Sequence, residues 1–404
     1  MKLRSFMLVA GEPSGDLLAA ELVKALRAEL VRRDAAPSFD LQPLRTGLAP
    51  RFFGAGGPRM AEAGVDLALD MTQHAVVGLL EVLRHLARFR RLLLQLRDLA
   101  FERQPDAIVL VDFSGFNHRL AAAIRRRLRA QHGCFNNWQP KIVQYVSPQV
   151  WASRESRVRT MARDLDLLLS IFPFEKDWYA LRAARLRVEF VGHPLCERYA
   201  AVNANVAPPG APPLVVLLPG SRAGELTRHL PVMLEGAHRM QAGRALTFRL
   251  VLPNETLAAQ ARTFVPASAG IQIQVGGLAE ALSQATLAIA STGTVTLECA
   301  YFGVPTVALY KTSWSTYQIG RRIIRVAFLA MPNILAGEAL FPEFIQHAAT
   351  PENIAREALA LLDDPARRER IKTRLAKIIA SLGGPGASLR AARALLAEVN
   401  ASQR

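Results

Sequence analysis

The stretch Ser5–Leu30, SFMLVAGEPSGDLLAAELVKALRAEL, contains the structural unit that recurs through the chain. It opens with an apolar run that ends at Gly11, and leucines then recur at helical spacing from Leu18 onward. An apolar run, a glycine-containing turn and an amphipathic helix are typical of one βα unit of a parallel sheet. The turn, Gly11–Asp16, lies between a strand end and a helix N-terminus, where backbone N–H groups favour anions.

The same alternation continues along the chain with one interruption. We predict further strands at Ala107–Val111, Lys141–Val146, Leu165–Ile171, Val188–Val191, Leu214–Leu218, Thr247–Leu252, Ile271–Gln274, Leu287–Ala290 and Thr306–Leu309. The interruption is ANVAPPGAPP at Ala204–Pro213, where prolines fix φ and remove backbone donors. We therefore predict two doubly wound α/β domains facing each other across a cleft, at residues 1–203 and 214–380, with 204–213 as the linker and 381–404 as a terminal helix.

The composition excludes several classes of protein. Of the 404 residues, 50% are hydrophobic and 21% are charged, which excludes a disordered chain. No apolar run approaches the roughly 18–20 residues of a membrane span, and the N-terminus lacks a secretory signal. The three cysteines, Cys134, Cys196 and Cys299, are far apart and indicate reduced thiols in a cytoplasmic protein. A formal net charge of +16 favours nucleic acid, an anionic membrane surface or phosphorylated substrates.

The turn after Leu214–Leu218 has the composition of a diphosphate site. It contains Gly220, Ser221 and Arg222, so backbone N–H groups and a guanidinium can together bind a diphosphate. The alternative is a turn with an exposed arginine.

The first turn, Gly11–Asp16, leaves two interpretations open in the same way. It is either an anion-binding loop or a tight turn capped by one of its polar residues, and the residues concerned are Ser14, Gly15 and Asp16.

A third turn follows Leu287–Ala290 and is rich in hydroxyl groups. It contains Ser291, Gly293 and Thr294, and Glu298 comes about one helical turn later. A carboxylate at that place can accept two hydrogen bonds from a ribose diol. The alternative is an ordinary helix capped by a hydroxyl, with a glutamate favoured by the helix dipole.

Few residues have the character of acid–base or metal-binding groups. Asp112 follows Ala107–Val111 directly, and a carboxylate at a strand end is a candidate general base. His118 and His193 are alternative bases, although His193 also fits a turn. Asp164-Leu165-Asp166 spells DxD beside a leucine-rich run, which favours strand capping over metal binding. We predict no metal site and no cofactor.

The segment Val76–Arg103 combines a broad apolar face with six arginines. A basic amphipathic helix is typical of binding to a membrane surface. The alternative is one or two ordinary helices that cover the sheet, and we expect part of the segment to pack and part to meet lipid. The membrane-facing candidates are Val76, Val77, Leu79, Leu80, Leu83, Arg84 and Arg88.

Eight motifs occur together in one order along the chain. They are AGEPSGD at Ala10–Asp16, FFGAGG at Phe52–Gly57, YVSPQVWA at Tyr145–Ala152, FPFEK at Phe172–Lys176, FVGHPL at Phe190–Leu195, LLPGSR at Leu217–Arg222, the turn at Ser291–Glu298 and MPNILAG at Met331–Gly337. In these motifs the chain resembles the lipid A disaccharide synthase family nearly from end to end.

The resemblance implies a metal-independent, inverting glycosyltransferase of the GT-B fold. The family joins UDP-2,3-diacylglucosamine to 2,3-diacylglucosamine 1-phosphate (lipid X), giving a β-1,6-linked disaccharide 1-phosphate and UDP. By motif, Asp112 matches the family's essential aspartate, Arg222 and Glu298 match residues that contact UDP, and Asn333 lies in a motif near the nucleotide. Gly115 departs from the family, because many relatives have a second aspartate there.

The resemblance also carries expectations about partners and place. We expect peripheral association with the inner face of the cytoplasmic membrane and a homodimer, with a terminal segment that crosses back or is exchanged between subunits. Two alternatives remain. One is another GT-B enzyme acting on a UDP-sugar, such as a lipid-linked N-acetylglucosaminyltransferase or a UDP-sugar epimerase. The other is a basic nucleic-acid-binding protein, but no motif for binding nucleic acid occurs.

Overall fold

The computed structural model describes residues 4–34, 50–71, 79–133, 135–202 and 212–401, with the backbone alone at 33–34, 79–86 and 267. Its two compact units are not continuous in sequence. The first joins the chain up to Glu197 with the segment that begins at Pro385, and the second is Arg198–Gly384. Most of the predicted linker, residues 204–211, lies outside the described residues.

The described secondary structure alternates strands with helices. The first part contains β1 (Ser5–Ala10), α1 (Pro13–Asp34), β2 (Arg51–Gly56), α2 (Pro58–Glu62), β3 (Asp66–Asp70), α3 (Leu79–Arg103), β4 (Ala107–Val111), α4 (Ser114–Gln131), β5 (Lys141–Tyr145), α5 (Val150–Ser153), α6 (Arg157–Asp164), β6 (Leu167–Ser170), α7 (Pro173–Ala180), β7 (Arg187–Phe190) and α8 (Pro194–Arg198).

The remaining elements follow the linker. They are β8 (Leu214–Leu218), α9 (Ala223–Gln241), β9 (Thr247–Leu252), α10 (Glu255–Arg262), β10 (Ile271–Val275), α11 (Leu278–Gln284), β11 (Leu287–Ser291), α12 (Thr294–Tyr301), β12 (Thr306–Tyr310), α13 (Trp314–Ile323), α14 (Met331–Ala336), β13 (Glu343–Ile345), α15 (Pro351–Asp363), α16 (Pro365–Ser381) and α17 (Ala387–Ala401). A short 3₁₀ turn spans Ala267–Ala269.

Each unit is built on one parallel sheet. The strand order is β3-β2-β1-β4-β5-β6-β7 in the first unit and β10-β9-β8-β11-β12-β13 in the second. All residues of β4 and all but the first residue of β8 are buried, because helices cover both faces of a doubly wound sheet. The prediction of two α/β domains with Rossmann-like parallel sheets is confirmed. The structure adds three strands that the sequence analysis missed, β2, β3 and β13.

Helix α17 belongs to the first unit although it ends the described chain. It packs against α1. Glu398 is 7% exposed and pairs with Lys141 at 2.7 Å and with Arg187 at 2.9 Å. Arg390 Nε donates to the Val191 carbonyl at 2.7 Å. These contacts fix the last helix to strands β5 and β7 of the first sheet.

Candidate active site

In each sheet the chain adds strands first toward one edge and then, after a switch point, toward the other edge. The switch point has the same position relative to the first strand in both sheets. It falls between β1 and β4 in the first unit and between β8 and β11 in the second. Loops that leave two such neighbouring strands diverge to opposite faces and form the crevice where doubly wound folds bind ligands. The turns identified from the sequence leave these four strands.

The backbone at Asp112 is held in an unusual conformation. Asp112 has φ 49° and Phe113 has φ 38°, so two consecutive residues other than glycine are left-handed. The N–H of Asp112 donates to the Tyr145 carbonyl at 2.9 Å. Its own carbonyl accepts from Asn117 Nδ2 at 2.9 Å and from Gln144 Nε2 at 3.1 Å. Strain of this kind persists only where the surroundings hold it, and it is concentrated at functional sites.

The surroundings of Asp112 shift the pKa of its carboxyl group. Burial raises the pKa of its carboxyl group, and the negative charge of Glu12 raises it further. A hydrogen bond from the Phe113 backbone acts in the opposite direction. A raised pKa makes a carboxylate a stronger base, which is what removal of a proton from a hydroxyl requires.

Asn117 and Gln144 hold the backbone of Asp112, and the sequence analysis missed both. Both are fully buried, and both donate to the Asp112 carbonyl from neighbouring elements, α4 and β5. Asn117 Oδ1 and Gln144 Oε1 have no hydrogen-bond partner within the described part of the chain. Gln144 could have been noticed in the sequence, since it is a polar residue inside an otherwise apolar strand. A buried side-chain amide needs a specific hydrogen-bond partner.

The first turn is braced by Asp16. Its buried carboxylate accepts from the backbone N–H groups of Gly57 at 2.7 Å, Arg59 at 3.0 Å and Met60 at 3.1 Å. The Asp16 carboxylate therefore caps α2 and ties the turn to it, and binding of an anion by the loop stays a prediction. This contact also gives the motif Phe52–Gly57 a physical role. Ser14 is exposed and Gly15 is buried in the same turn.

The turn after β8 presents Arg222 to solvent. The Arg222 side chain is 52% exposed, and its nearest carboxylate is Glu225, at 3.5 Å. Glu225 Oε2 accepts from the backbone N–H of Ser221 at 3.1 Å. Gly220 has φ 122°, which side-chain-bearing residues rarely adopt. The loosely held guanidinium is available for an anionic ligand.

His229 fixes the base of this turn and was missed from the sequence. It is fully buried on α9. Its Nδ1 lies 2.7 Å from the Pro219 carbonyl, and its Nε2 accepts from the backbone N–H of Lys311 at 3.0 Å. The Pro219 carbonyl can only accept, so Nδ1 carries a proton, while Nε2 lies 3.0 Å from the N–H of Lys311 and 3.1 Å from its carbonyl oxygen. Burial also lowers the pKa of His229.

The turn after β11 leaves a helix N-terminus open. Gly293 has φ 136° and ψ −162°, a conformation essentially restricted to glycine, and it precedes α12 without a side-chain cap. Ser291 is buried at the strand end, whereas Gly293 and Thr294 are exposed. The uncapped N–H groups of α12 form a site that favours an anion.

Glu298 has a partner that the sequence did not indicate. The hydroxyl of Tyr199 donates to Glu298 Oε1 at 2.7 Å. The Tyr199 ring packs against Phe302, with ring centroids 5.2 Å apart. Burial raises the pKa of Glu298, while the Tyr199 hydrogen bond and the charge of Arg198 lower it. A single hydrogen bond to one oxygen leaves the other oxygen of the carboxylate for a diol.

Asn333 is a brace within the second unit. It is fully buried, and its Nδ2 donates to the Phe341 carbonyl and to Glu343 Oε1, each at 2.8 Å. Its Oδ1 accepts from the Phe341 N–H at 2.8 Å. Both N–H donors of the amide are used within the unit, and the place of this motif near the nucleotide stays a prediction. Asn333 acts by holding α14 against the segment that leads into β13.

Comparisons with known proteins agree on one family. The model of the lipid-A-disaccharide synthetase family matches residues 6–397. The lipid-A-disaccharide synthase of Geobacter sulfurreducens is 39% identical over 399 residues, which cover 96% of each chain. The chain belongs to the lipid-A-disaccharide synthase family. It is therefore a glycosyltransferase of lipid A biosynthesis, as the motifs predicted.

Solved structures support the fold class of this family member. The calicheamicin glycosyltransferase has a TM-score of 0.59 and 18% identity, covering 100% of both chains. The UDP-GlcNAc 2-epimerase from Neisseria meningitidis, bound to UDP-GlcNAc, has a TM-score of 0.54 and 9% identity, also covering 100% of both chains. The predicted GT-B class is confirmed.

The remaining candidates of this synthase-family chain have structural roles. Asp166 accepts from the Ile142 N–H at 2.7 Å and pairs with Arg125, and Asp164 pairs with Arg163 at 2.7 Å. His193 Nδ1 accepts from the Leu195 N–H at 3.1 Å and so stabilises a turn. Among the described residues, no group of three acidic, histidine or cysteine side chains could hold a metal ion.

The basic amphipathic segment of the synthase-family chain is described only in part. Val76 and Val77 lie outside the described residues, and so do the side chains of Leu79, Leu80, Leu83 and Arg84. Arg88 is exposed on α3. Further along α3, Leu92, Leu96 and Ala100 are buried in the core, so this half of the segment packs on the sheet. No described helix is long and apolar enough to span a membrane.

Proposed function

We propose that the chain transfers the diacylglucosamine unit of UDP-2,3-diacylglucosamine to the 6-hydroxyl of 2,3-diacylglucosamine 1-phosphate, with inversion. The acceptor oxygen forms a bond to the anomeric carbon, and the bond from that carbon to the diphosphate breaks. The hydroxyl proton passes to the base, and UDP leaves with the bonding electron pair. The family match supports this chemistry, and the observation that carries it is the strained, half-buried Asp112 at the switch point of the first sheet.

In this proposal Asp112 is the general base. Its carboxylate lies beside the N-terminus of α4, and its backbone is fixed by Asn117 and Gln144. Fixing the base before the substrate binds avoids reorganisation during proton transfer. Ser14 and Gly15 line the neighbouring turn as acceptor-side residues, and Asp16 holds that turn in place.

The donor nucleotide binds to the second unit in this proposal. Gly220, Ser221 and Arg222 line the diphosphate site in this proposal. Arg222 binds the diphosphate through its guanidinium, and the Ser221 N–H exchanges its bond to Glu225 for one to the diphosphate. The open N-terminus of α12, with Ser291, Gly293 and Thr294, adds a second set of donors. Glu298 accepts from the ribose diol. The binding of UDP-GlcNAc by a structural neighbour with the same fold supports a UDP-sugar as donor.

We also propose peripheral binding at the inner face of the cytoplasmic membrane and assembly as a homodimer. The acylated substrates reside in a membrane, and the exposed Arg88 continues the basic face predicted for the preceding segment. In such a dimer, α17 packs either on the first unit of its own chain or on the first unit of the other subunit.

The test is synthesis of the disaccharide by purified protein. The protein is incubated with UDP-2,3-diacylglucosamine and lipid X in detergent with EDTA, and UDP and the acylated disaccharide are measured by mass spectrometry. We expect both products in equal amounts under chelation, and anomer analysis by NMR should give the β linkage. Absence of the disaccharide with and without added magnesium would refute the proposed acceptor and donor pair.

A further inference from the structure

Four basic residues lie at the same edge of the first sheet as Asp112. They are His118, Arg119, Arg154 and Arg157. His118 and Arg119 lie near the N-terminus of α4, which follows β4 and Asp112. Arg157 is the first residue of α6, and its N–H donates to the Arg154 carbonyl at 3.0 Å. Strands β4 and β5 are neighbours and α4 packs against α6, so the two helix beginnings lie side by side.

The net charge of the cluster depends on whether its arginines have acidic partners. Within the described part of the chain, none of Arg119, Arg154 and Arg157 forms an ion pair with a carboxylate. Further along the same helices, Arg125 pairs with Asp166 and Arg163 pairs with Asp164. Glu155, the acid nearest in sequence, pairs with Arg182 at 2.6 Å. The cluster therefore carries uncompensated positive charge.

The members of the cluster are close enough to influence one another electrostatically. Burial lowers the pKa of Arg157, and the charges of Arg154 and Arg119 lower it further. His118 Nε2 is buried without a hydrogen-bond partner among the described residues. Burial and the charge of Arg157 lower the pKa of His118 to about 4, with Asp164 opposing, so the ring is neutral at neutral pH. Guanidinium groups and a neutral imidazole N–H can all donate hydrogen bonds to a phosphate dianion.

We propose that Arg119, Arg154 and Arg157, together with His118, bind the phosphomonoester of the acceptor. This inference rests on the proposed function, because it assumes that the acceptor is a sugar phosphate whose hydroxyl meets Asp112. The donor diphosphate has its own sites in the second unit, at the turns after β8 and β11. The cluster instead belongs to the unit that supplies the base, so one acceptor molecule can contact both.

The experiment compares two acceptors that differ only in their phosphate. Binding of 2,3-diacylglucosamine 1-phosphate and of unphosphorylated 2,3-diacylglucosamine is measured in detergent, without donor, for the wild type, Arg154→Gln and Arg157→Gln. We expect the wild type to prefer the phosphorylated sugar and each variant to lose that preference by about tenfold or more, since a charge-assisted contact is lost. Arg159→Gln, an exposed site on the same helix, is the matched control and should retain the preference.

The outcomes separate this inference from the proposed function. Disaccharide synthesis by the wild type tests the proposed function, whereas the binding preference tests the cluster directly. If Arg154→Gln and Arg157→Gln retain the wild-type preference, the cluster is not the phosphate site. Binding of each protein to phosphatidylglycerol vesicles is measured in parallel. Weaker vesicle binding by the variants with an intact acceptor preference would identify a lipid headgroup site and overturn the inference.

Discussion

At the scale of single residues, Asp112 combines backbone strain with a raised pKa. We expect Asp112→Asn to lower kcat by about 10²–10⁴-fold, because the amide cannot accept the hydroxyl proton. Asparagine tolerates a left-handed backbone, so the loop should keep its shape. UDP affinity, measured by calorimetry, should remain close to that of the wild type. A variant with wild-type kcat would remove Asp112 from the mechanism.

Glu12 provides a finer test of the same base. Its charge raises the pKa of Asp112, so Glu12→Gln should lower that pKa. A base is active only when ionised, and the acid limb of the profile of kcat/KM against pH should therefore move to lower pH. The profile is measured between pH 4 and 9 in detergent, with Glu62→Gln as an exposed control. If Glu12→Gln has the same acid limb as the wild type, that limb reports the ionisation of a group other than Asp112.

Arg222 tests the diphosphate assignment. Its guanidinium is 52% exposed and only weakly held by Glu225, so its loss should cost the fold little. We expect Arg222→Ala to weaken UDP binding about tenfold or more, as for a lost charge-assisted hydrogen bond. Arg239→Ala, at the far end of α9, is the matched control. Equal UDP affinity of Arg222→Ala and the wild type would exclude the guanidinium from the site.

At the scale of elements, buried polar side chains fix the loops that hold the site. Asp16 ties the turn after β1 to α2, and His229 ties the turn after β8 to the end of β12. Asn333 does the same between α14 and β13. Each of these side chains satisfies backbone groups that would otherwise be unpaired in the interior. The exposed residues of the turns are thereby left free for ligands.

His229 makes the stability of the second unit depend on pH. Its pKa in the folded state lies below the usual 6.5, so the unfolded chain binds more protons between the two values. Stability should therefore fall as the pH drops below 6.5. Urea unfolding followed between pH 8 and 5.5 measures this loss.

The matched variants for this measurement lie on one helix. His229→Gln should cost about 1–3 kcal/mol at pH 8, because buried partners lose a hydrogen bond, and it should flatten the pH dependence. His238→Gln replaces an exposed histidine of α9 and should change neither. If the stability of His229→Gln depends on pH as strongly as that of the wild type, other groups cause the pH dependence.

At the scale of the whole molecule, local sequence patterns predicted most strands of the two parallel sheets but not the contacts between distant residues. The runs that became β4 and β8 are short, apolar and bounded by turns, so their buried strands were predictable. β2 was missed because glycines interrupt it, and β13 because it has only three residues. The positions of the turns after β1, β8 and β11 were predictable because these turns directly follow predictable strands, and their roles in binding stay predictions.

The partners of the site residues required the structure. Tyr199 and Glu298 are 99 positions apart, and His229 and Lys311 are 82 apart, so no local pattern links them. Asp16 and Asn333 are polar residues within motifs, and the sequence alone could not separate a ligand contact from a buried brace. Local periodicity predicts an element, whereas a hydrogen-bond partner is determined by how distant elements pack.

The first unit is closed by the last helix, and Glu398 is the residue on which this closure should depend. Its side chain is buried and pairs with both Lys141 and Arg187, which lie on β5 and β7. Glu398→Ala should lower the free energy of unfolding by about 1–3 kcal/mol, because a buried carboxylate with two cationic partners is lost. Glu189→Ala is the matched control, since Glu189 also pairs with Arg187 but is 34% exposed, and it should change stability by less than about 0.5 kcal/mol. Equal urea midpoints for the two variants would show that α17 is held by its apolar face alone.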